Sequence, residues 1–279
     1  MDWSPNYKTY WHARYELPDG TIINPGRQGN VERTNFRAQL LRQLIARTIG
    51  SLKDRTVLDL GCADGYFSRQ AMHMGATSTH GIDINPEEIR KANWLKKQLR
   101  EDDNITFKVG DINDRNVAPA HDVVLCLGLL YHTFNYAETL LRLRNLTREL
   151  LVVDTDVIPV SGSWAKLEFE RGLAWQRDLM PVLVLTPNAI DDLASVAGFG
   201  DPRAVPVGRD APSDYGAGRR IMRAYTLAND DAGANVRAAT RRTDNFITQP
   251  FSWRYKLGTL FYKTANLFMP VANKAFDRW

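Results

Sequence analysis

The sequence predicts an α/β fold built on a mostly parallel sheet, and three observations predict it. Apolar runs of strand length alternate with amphipathic runs of helix length along most of the chain. The first such strand ends in a glycine-bearing turn, "VLDLGCADGYFS" (Val57 to Ser68). Late in the chain, "PRAVPV" and "RRIMRAYTL" follow one another with no helix between them. A β-then-α rhythm brings crossover helices onto both faces of a sheet, which requires parallel strands. Two strands joined without a helix form a hairpin, so one of the last strands runs antiparallel to the rest.

The elements follow in order. Phe36, Leu40, Leu41, Leu44 and Ile45 recur at helical spacing, and Gly50 stops that helix. Strand Thr56–Leu60 comes next, then a helix from Tyr66 to Met74 and strand His80–Ile84. A longer helix from Pro86 to Leu99 leads to strand Ile105–Val109, and Asp122–Leu127 is the fourth strand. Tyr136–Leu146 reads as a helix and Glu149–Asp154 as a fifth strand. In "TPNAIDDLASVAGFG", Thr186 is the expected N-cap, Pro187 the first helical residue and Gly198 the stop.

Composition bounds the function classes. With 279 residues and 44% hydrophobic composition, the chain can bury a full core and is not a disordered polymer. A formal charge of +4 allows an anionic partner without demanding a nucleic-acid surface. Cys62 and Cys126, the two cysteines, fall in apolar stretches, which argues against a disulfide scaffold. The first twenty residues lack the order of a signal peptide, and no apolar run reaches the roughly 18 residues of a membrane span. A cytoplasmic protein is expected.

The turn after the first strand carries the functional argument. A strand that ends in Asp59, Gly61 and Gly65 and runs into a helix lets a ligand approach the backbone, because glycine has no Cβ to block it. Asp83 stands some 20 residues further on, at the tip of the next strand, where a carboxylate can accept hydrogen bonds from ribose hydroxyls. The third strand runs into "VGDIND", which places Asp111 where an adenine amino group could be read; surface-loop aspartate is the competing explanation there.

These residues carry a family resemblance. Asp59-Leu60-Gly61-Cys62-Ala63-Asp64-Gly65, then Asp83, then Gly110-Asp111, then "HDVVLCLGLLYH" resemble the class I S-adenosylmethionine-dependent methyltransferases over roughly Thr56 to Leu227. The resemblance implies a Rossmann-like sheet of seven strands, the last antiparallel. It implies the cofactor's methionine part over Asp59 to Gly65, its ribose on Asp83 and its adenine near Asp111 and Ile112. Tyr66, Ile84 and Leu127 flank these positions. One departure is visible, since Ala63 stands where the usual pattern has a middle glycine. The spacing Gly61 to Gly65 also differs from the G-x-G-x-x-G turn of nicotinamide-binding folds. A closer similarity links "LGLLYHTFNYAETLLRLRNLTRELLVVDT" and "LVLTPNAIDDLASVAGFGDPRAV" to the tRNA wobble-uridine carboxymethyltransferases, which use a carboxylated form of the cofactor. That family has a lysine before its core that helps bind the extra carboxylate; the comparable stretch here, "WHARYELPDG", offers Arg14 instead.

Methyl transfer from a sulfonium asks the protein to align a nucleophile, shed water and remove a proton where the nucleophile carries one. Open α/β sheets bind ligands at the carboxyl ends of their strands, where Tyr131 and His132 follow the fourth strand. His132 is the candidate base, with capping of the following turn as the alternative. Tyr131 shapes the pocket or contacts the cofactor, and Asp154 and Asp156 after the fifth strand are candidates to orient a hydroxyl or amine, with a solvated loop as the alternative for Asp156. The five histidines do not cluster in sequence, and no metal is expected.

The flanks divide the chain into an N-terminal arm and lid helix (1–50), a cofactor-binding domain (51–229) with a substrate insertion (157–185), and an extension (230–279). The arm holds Trp3, Tyr7, Tyr10, Trp11 and Tyr15, which fit either a lid or simple packing. In the insertion, Trp164, Glu168, Glu170, Arg171 and Trp175 are candidates to grip a polar ring. From Phe246 to Trp279 nine aromatics interleave with basic residues, which fits a helical pair packed on the domain or on a second subunit, a peripheral membrane contact or a nucleic-acid platform. The expected function is methylation of an oxygen, or less readily a nitrogen, of a small molecule or glycan. The alternatives are carboxymethylation or methylation of a tRNA base, and a non-catalytic subunit that binds a partner.

Overall fold

The computed structural model describes residues 10–24, 28–114, 116–170, 180–208 and 211–228. Its elements are β1 (Tyr15–Glu16), β2 (Ile22–Ile23), α1 (Gln28–Thr48), β3 (Thr56–Leu60), α2 (Tyr66–His73), β4 (Ser78–Asp83), α3 (Pro86–Leu99), β5 (Ile105–Val109) and β6 (His121–Leu127). A single turn of 3₁₀ helix (Leu130–His132) leads to α4 (Tyr136–Leu146), β7 (Thr147–Asp156), β8 (Ala165–Glu170), β9 (Met180–Leu185), α5 (Pro187–Val196), β10 (Phe199–Arg203), α6 (Ser213–Gly216) and β11 (Arg220–Leu227).

Seven strands form one sheet in the order β10-β11-β7-β6-β3-β4-β5. The five strands from β7 to β5 run parallel, and β11 runs antiparallel to both β7 and β10. The sheet order reverses between β3 and β6, which opens a crevice at the carboxyl ends of those two strands. Apolar side chains cover both faces. On one, Leu58, Val124, Leu151 and Val153 pack with Leu140 and Leu143 of α4 and Ile190 of α5. On the other, Val57, Val123, Leu125 and Val152 pack with Leu40, Leu41, Leu44 and Ile45 of α1. Burial of an aliphatic side chain of this kind contributes roughly 1.5–3 kcal/mol, so the two layers hold the crevice on a rigid base.

Local chemistry sets the ends of the elements. Asn85 caps α3, its Oδ1 accepting from the Glu87 N–H, and Pro86 takes the first helical position. Because that cap claims the chain at once, β4 stops at Asp83 and Ile84 lies beyond it, one residue earlier than the sequence reading. Thr186 caps α5 as expected, and Gly198 follows the helix at φ +95°. The turn at Gly198 is immediate, so β10 is Phe199–Arg203, ahead of most of "PRAVPV", and the one-turn helix α6 stands between it and β11 where no helix was expected. β7 is longer than Glu149–Asp154 because β6 pairs along one edge and β11 along the other.

Residues 10–24 form an arm whose Trp11, Ala13, Tyr15 and Leu17 pack on Leu95 of α3 with Trp94 and Tyr66 beside them. The segment 157–185 contains an antiparallel hairpin, β8 with β9. Arg171, Trp175, Trp3, Tyr7 and the 230–279 extension lie outside the described residues. No helix among the described residues is long and apolar enough to cross a membrane.

Candidate functional site

The loop after β3 alternates its handedness. Gly61, Ala63 and Gly65 all have positive φ, at +71°, +49° and +83°. The Gly61 and Cys62 N–H groups donate to the Ile82 carbonyl, and the Ala63 N–H donates to Asp83 Oδ2 at 2.9 Å, so the loop is strapped to the tip of β4. Phe107 of β5 forms a shelf beneath it. A Cβ added at Gly65 or at Gly81 would come within 2.5 Å of that ring, so both positions must stay glycine for the loop and β4 to rest on it.

Asp83 keeps capacity to bind. Its Oδ2 accepts from Ala63 and its Oδ1 from the Asn85 N–H at 2.8 Å, two of the roughly four acceptor directions of a carboxylate. Ile84 beside it is 65% exposed, an apolar side chain displayed where an aromatic ligand face can rest. Asp111 Oδ1 accepts from the backbone and side chain of Asn113, while Ile112 and Leu127 are buried at the rim. Tyr66 is turned away, its hydroxyl donating to Asn35 of α1 and its ring meeting Tyr15 edge to face.

Asp59 lies under the loop rather than in the crevice. Its carboxylate is 1% exposed and accepts from Ser68 Oγ at 2.7 Å, which ties β3 to the first turns of α2. Burial pushes its pKa up to about 6 against the Ser68 hydrogen bonds. Asp64 in the same loop is fully buried by the arm: Tyr15 Oη donates to Oδ1 and the His12 N–H to Oδ2, both at 2.7 Å. Lys91 of α3 reaches the Tyr10 carbonyl and pairs with Glu88, whose pKa burial raises to about 7.

The tip of β6 supplies the other wall. Tyr131 and His132 share the 3₁₀ turn, their ring centroids 4.0 Å apart, and the Arg220 guanidinium lies 5.8 Å from the Tyr131 ring. Burial, helped by Arg220, lowers the His132 pKa to about 4, so its imidazole is neutral at physiological pH. Asp154, expected to orient a substrate group, is instead fully enclosed. Arg220 donates to it from Nε and Nη2 at 3.0 Å, Tyr215 Oη at 2.5 Å, and Arg37 Nη2 forms an ion pair at 2.5 Å. Burial alone would raise the Asp154 pKa; Arg220 and Arg37 outweigh it and leave it lowered. Asp156 pairs with Arg220 Nη1 at 2.7 Å. This cluster backs the β6 tip, since a Cβ at Gly128 would touch both guanidinium groups.

Within the insertion, β9 touches these residues and the outer strand β8 does not. β9 borders the 3₁₀ turn, with Tyr136 Oη donating to the Leu183 carbonyl, and β8 lies on the far side of β9. Trp164 is 64% exposed with its indole N–H on the Ser161 carbonyl, and Glu168 pairs with Lys166 at 2.8 Å. The structure therefore unites Asp83, Ile84 and the Gly61–Gly65 loop with Tyr131 and His132 around one sheet end, without Trp164 or Glu168. The residues that sequence reasoning missed are Arg220, Tyr215 and the Asp64 contacts. Arg37 was legible in part, since it stands four and seven residues before Leu41 and Leu44 and a cation on a core-facing stripe signals a buried anion. Among the described residues, no group of histidine, cysteine and carboxylate side chains could hold a metal ion.

Comparison with known proteins matches residues 51–171 to the methyltransferase domain family. A tRNA U34 carboxymethyltransferase of Shewanella frigidimarina is 31% identical over 130 residues, 44% of this chain and 39% of that protein. The corresponding protein of Helicobacter acinonychis is 32% identical over 152 residues, 51% of this chain and 58% of that one. The matched region thus spans less than two thirds of either relative. Among solved structures, the N-terminal domain of EvdMO1 in the presence of S-adenosylhomocysteine and D-fucose superposes with a TM-score of 0.59 at 17% identity, covering 79% of this chain and 92% of that one. The magnesium protoporphyrin IX methyltransferase of Synechocystis with bound S-adenosylhomocysteine gives 0.53 at 15% identity, covering 74% and 90%. The fold of this chain is the Rossmann-like fold of S-adenosylmethionine-dependent methyltransferases.

Proposed function

We propose that this chain, whose residues 51–171 match the methyltransferase domain family, is an S-adenosylmethionine-dependent methyltransferase acting on an oxygen of a small molecule or glycan. The observation that supports it best is the convergence of a backbone loop, an acceptor carboxylate and a neutral imidazole on one end of the sheet. The residues fit the cofactor: Asp83 has acceptor directions left for ribose hydroxyls, Ile84 offers an apolar face and the Gly61–Gly65 loop is open to close approach. When bound, the cofactor supplies an electrophilic methyl group and leaves as S-adenosylhomocysteine. The chain's own part is to hold the acceptor near Tyr131 and to take its proton on His132, with Arg220 holding the Tyr131 ring in place. Asp154 serves this reading as the anchor of Arg220.

Methylation or carboxymethylation of a tRNA base is a second reading, supported by the 31–32% identity to the carboxymethyltransferases. Arg14, the residue in place of that family's lysine, is exposed on the arm, which favours the ordinary methyl donor.

The test is native mass spectrometry of freshly purified protein, with identification of any nucleoside released on denaturation. S-adenosylmethionine or S-adenosylhomocysteine is expected, followed by methyl transfer to hydroxylated acceptors. The carboxylated cofactor together with salt-sensitive tRNA retention would move the assignment to tRNA. An empty protein that cannot be loaded with any of the three would favour a partner-binding subunit.

A further inference from the structure

The hairpin inserted after β7 has an asymmetric shape. β9 is pressed into the domain, with Val182, Val184 and Leu185 buried, whereas every described side chain of β8 is exposed. The register pairs Ala165 with Leu185, Leu167 with Leu183 and Phe169 with Pro181, which puts Ala165, Leu167 and Phe169 on one face. Lys166 and Glu168 point to the other face and pair with each other. Leu167 is 52% exposed and Phe169 55%. Among the described residues, no strand pairs with the outer edge of β8. An edge strand that displays large apolar side chains and unpaired backbone groups is a template for another strand.

The charge order of β8 selects the occupant. We propose that β8 pairs antiparallel with β8 of a second copy of the chain, about a two-fold axis through Leu167, to make a four-stranded sheet β9-β8-β8-β9. In that register Leu167 faces the partner's Leu167, Ala165 faces the partner's Phe169, and Lys166 and Glu168 each face the opposite charge on the partner. Centring the pair on Lys166 or on Glu168 instead would set like charges directly opposite, which is unfavourable. One register therefore satisfies both faces at once, the condition for a defined isologous contact. The proposal rests on the hairpin alone and is independent of the methyltransferase reading.

Sedimentation velocity on the full chain, across a concentration series, tests the assembly. A dimer is expected for the parent chain. Lys166→Glu places two glutamates opposite each other at each end of the pair and should weaken the dimer at least tenfold. Adding Glu168→Lys to it restores opposite charges in reversed order and should recover the dimer. Register is read by oxidative cross-linking: Leu167→Cys should form an intermolecular disulfide, and Ala165→Cys should not. Two Ala165 positions would lie four residues apart along the strands, roughly 14 Å, beyond the reach of a disulfide. A monomer at all concentrations, a dimer indifferent to Lys166→Glu, or cross-linking at 165 in preference to 167 would each overturn the proposal.

Discussion

Arg220, at the start of β11, holds the carboxylate of Asp154 on β7 through two nitrogen atoms, Nε and Nη2, each at 3.0 Å. Both groups are buried, and with Arg37 and Tyr215 they form a polar knot behind the residues that follow β6. Removing one member of such a buried pair strands the other. Asp154→Ala should therefore cost about 3–5 kcal/mol, read as a fall of roughly 10 °C in the thermal unfolding midpoint. The pH dependence has a definite sign. The folded-state pKa of Asp154 is lowered, so its contribution is present above the ordinary carboxylate range and is lost as the pH falls through the lowered value.

For His132, the lowered pKa of about 4 separates two behaviours. If it takes the acceptor's proton, the acid limb of kcat/KM falls near pH 4 rather than near 6.5, and the rate stays flat from pH 6 to 8 as far as this group is concerned. His132→Ala should lower kcat about 10²-fold with cofactor affinity kept, measured by initial rates and calorimetry. Unchanged turnover would leave His132 as a packing residue of the 3₁₀ turn.

Ala63 adopts φ +49° in a loop whose neighbours with positive φ are glycines. An L-residue in that region carries about 1 kcal/mol of steric cost. Ala63→Gly should remove it and, after the added freedom of the unfolded chain, raise the unfolding midpoint by up to about 3 °C. Ala63→Val should lower it by more.

Asp83 and Asp59 flank the same loop and should respond oppositely. Asp83→Ala removes a half-exposed acceptor, and titration calorimetry should show S-adenosylmethionine binding weakened at least tenfold. Asp59 has a folded pKa raised to about 6, so its own contribution to parent stability falls as pH rises from about 4 to 6 and stays level above. Asp59→Asn should flatten that curve and add up to about 3 kcal/mol at pH 8. Chemical unfolding at pH 4, 6 and 8 measures both.

The sheet was legible because its signals are local. β3, α3, β5 and α4 begin and end where apolar period, Asn85, Pro86 and the glycines place them. The backbone of the proposed cofactor crevice was legible for the same reason, since Gly61, Gly65 and Asp83 announce themselves by backbone demand and position at a strand tip. The role of Asp154 was not. Its partners Arg37, Tyr215 and Arg220 come from positions separated by up to 183 residues, and no short-range pattern records that they meet. Asp64 was hidden similarly, because Tyr15 that covers it belongs to an arm whose docking follows from tertiary packing on Leu95.

That arm gives the loop a latch. Swinging the loop outward at Asp64 would break the hydrogen bonds from Tyr15 and His12, so we expect release of a nucleoside held there to wait on detachment of residues 10–17. Such a latch would be kinetic in effect: formed alike with and without ligand, it would slow entry and exit together and leave the equilibrium constant nearly unchanged. Tyr15→Phe should accordingly shorten the residence time of a bound nucleoside in stopped-flow displacement while its Kd moves little, and an enzyme so altered would turn over faster wherever product release sets the pace.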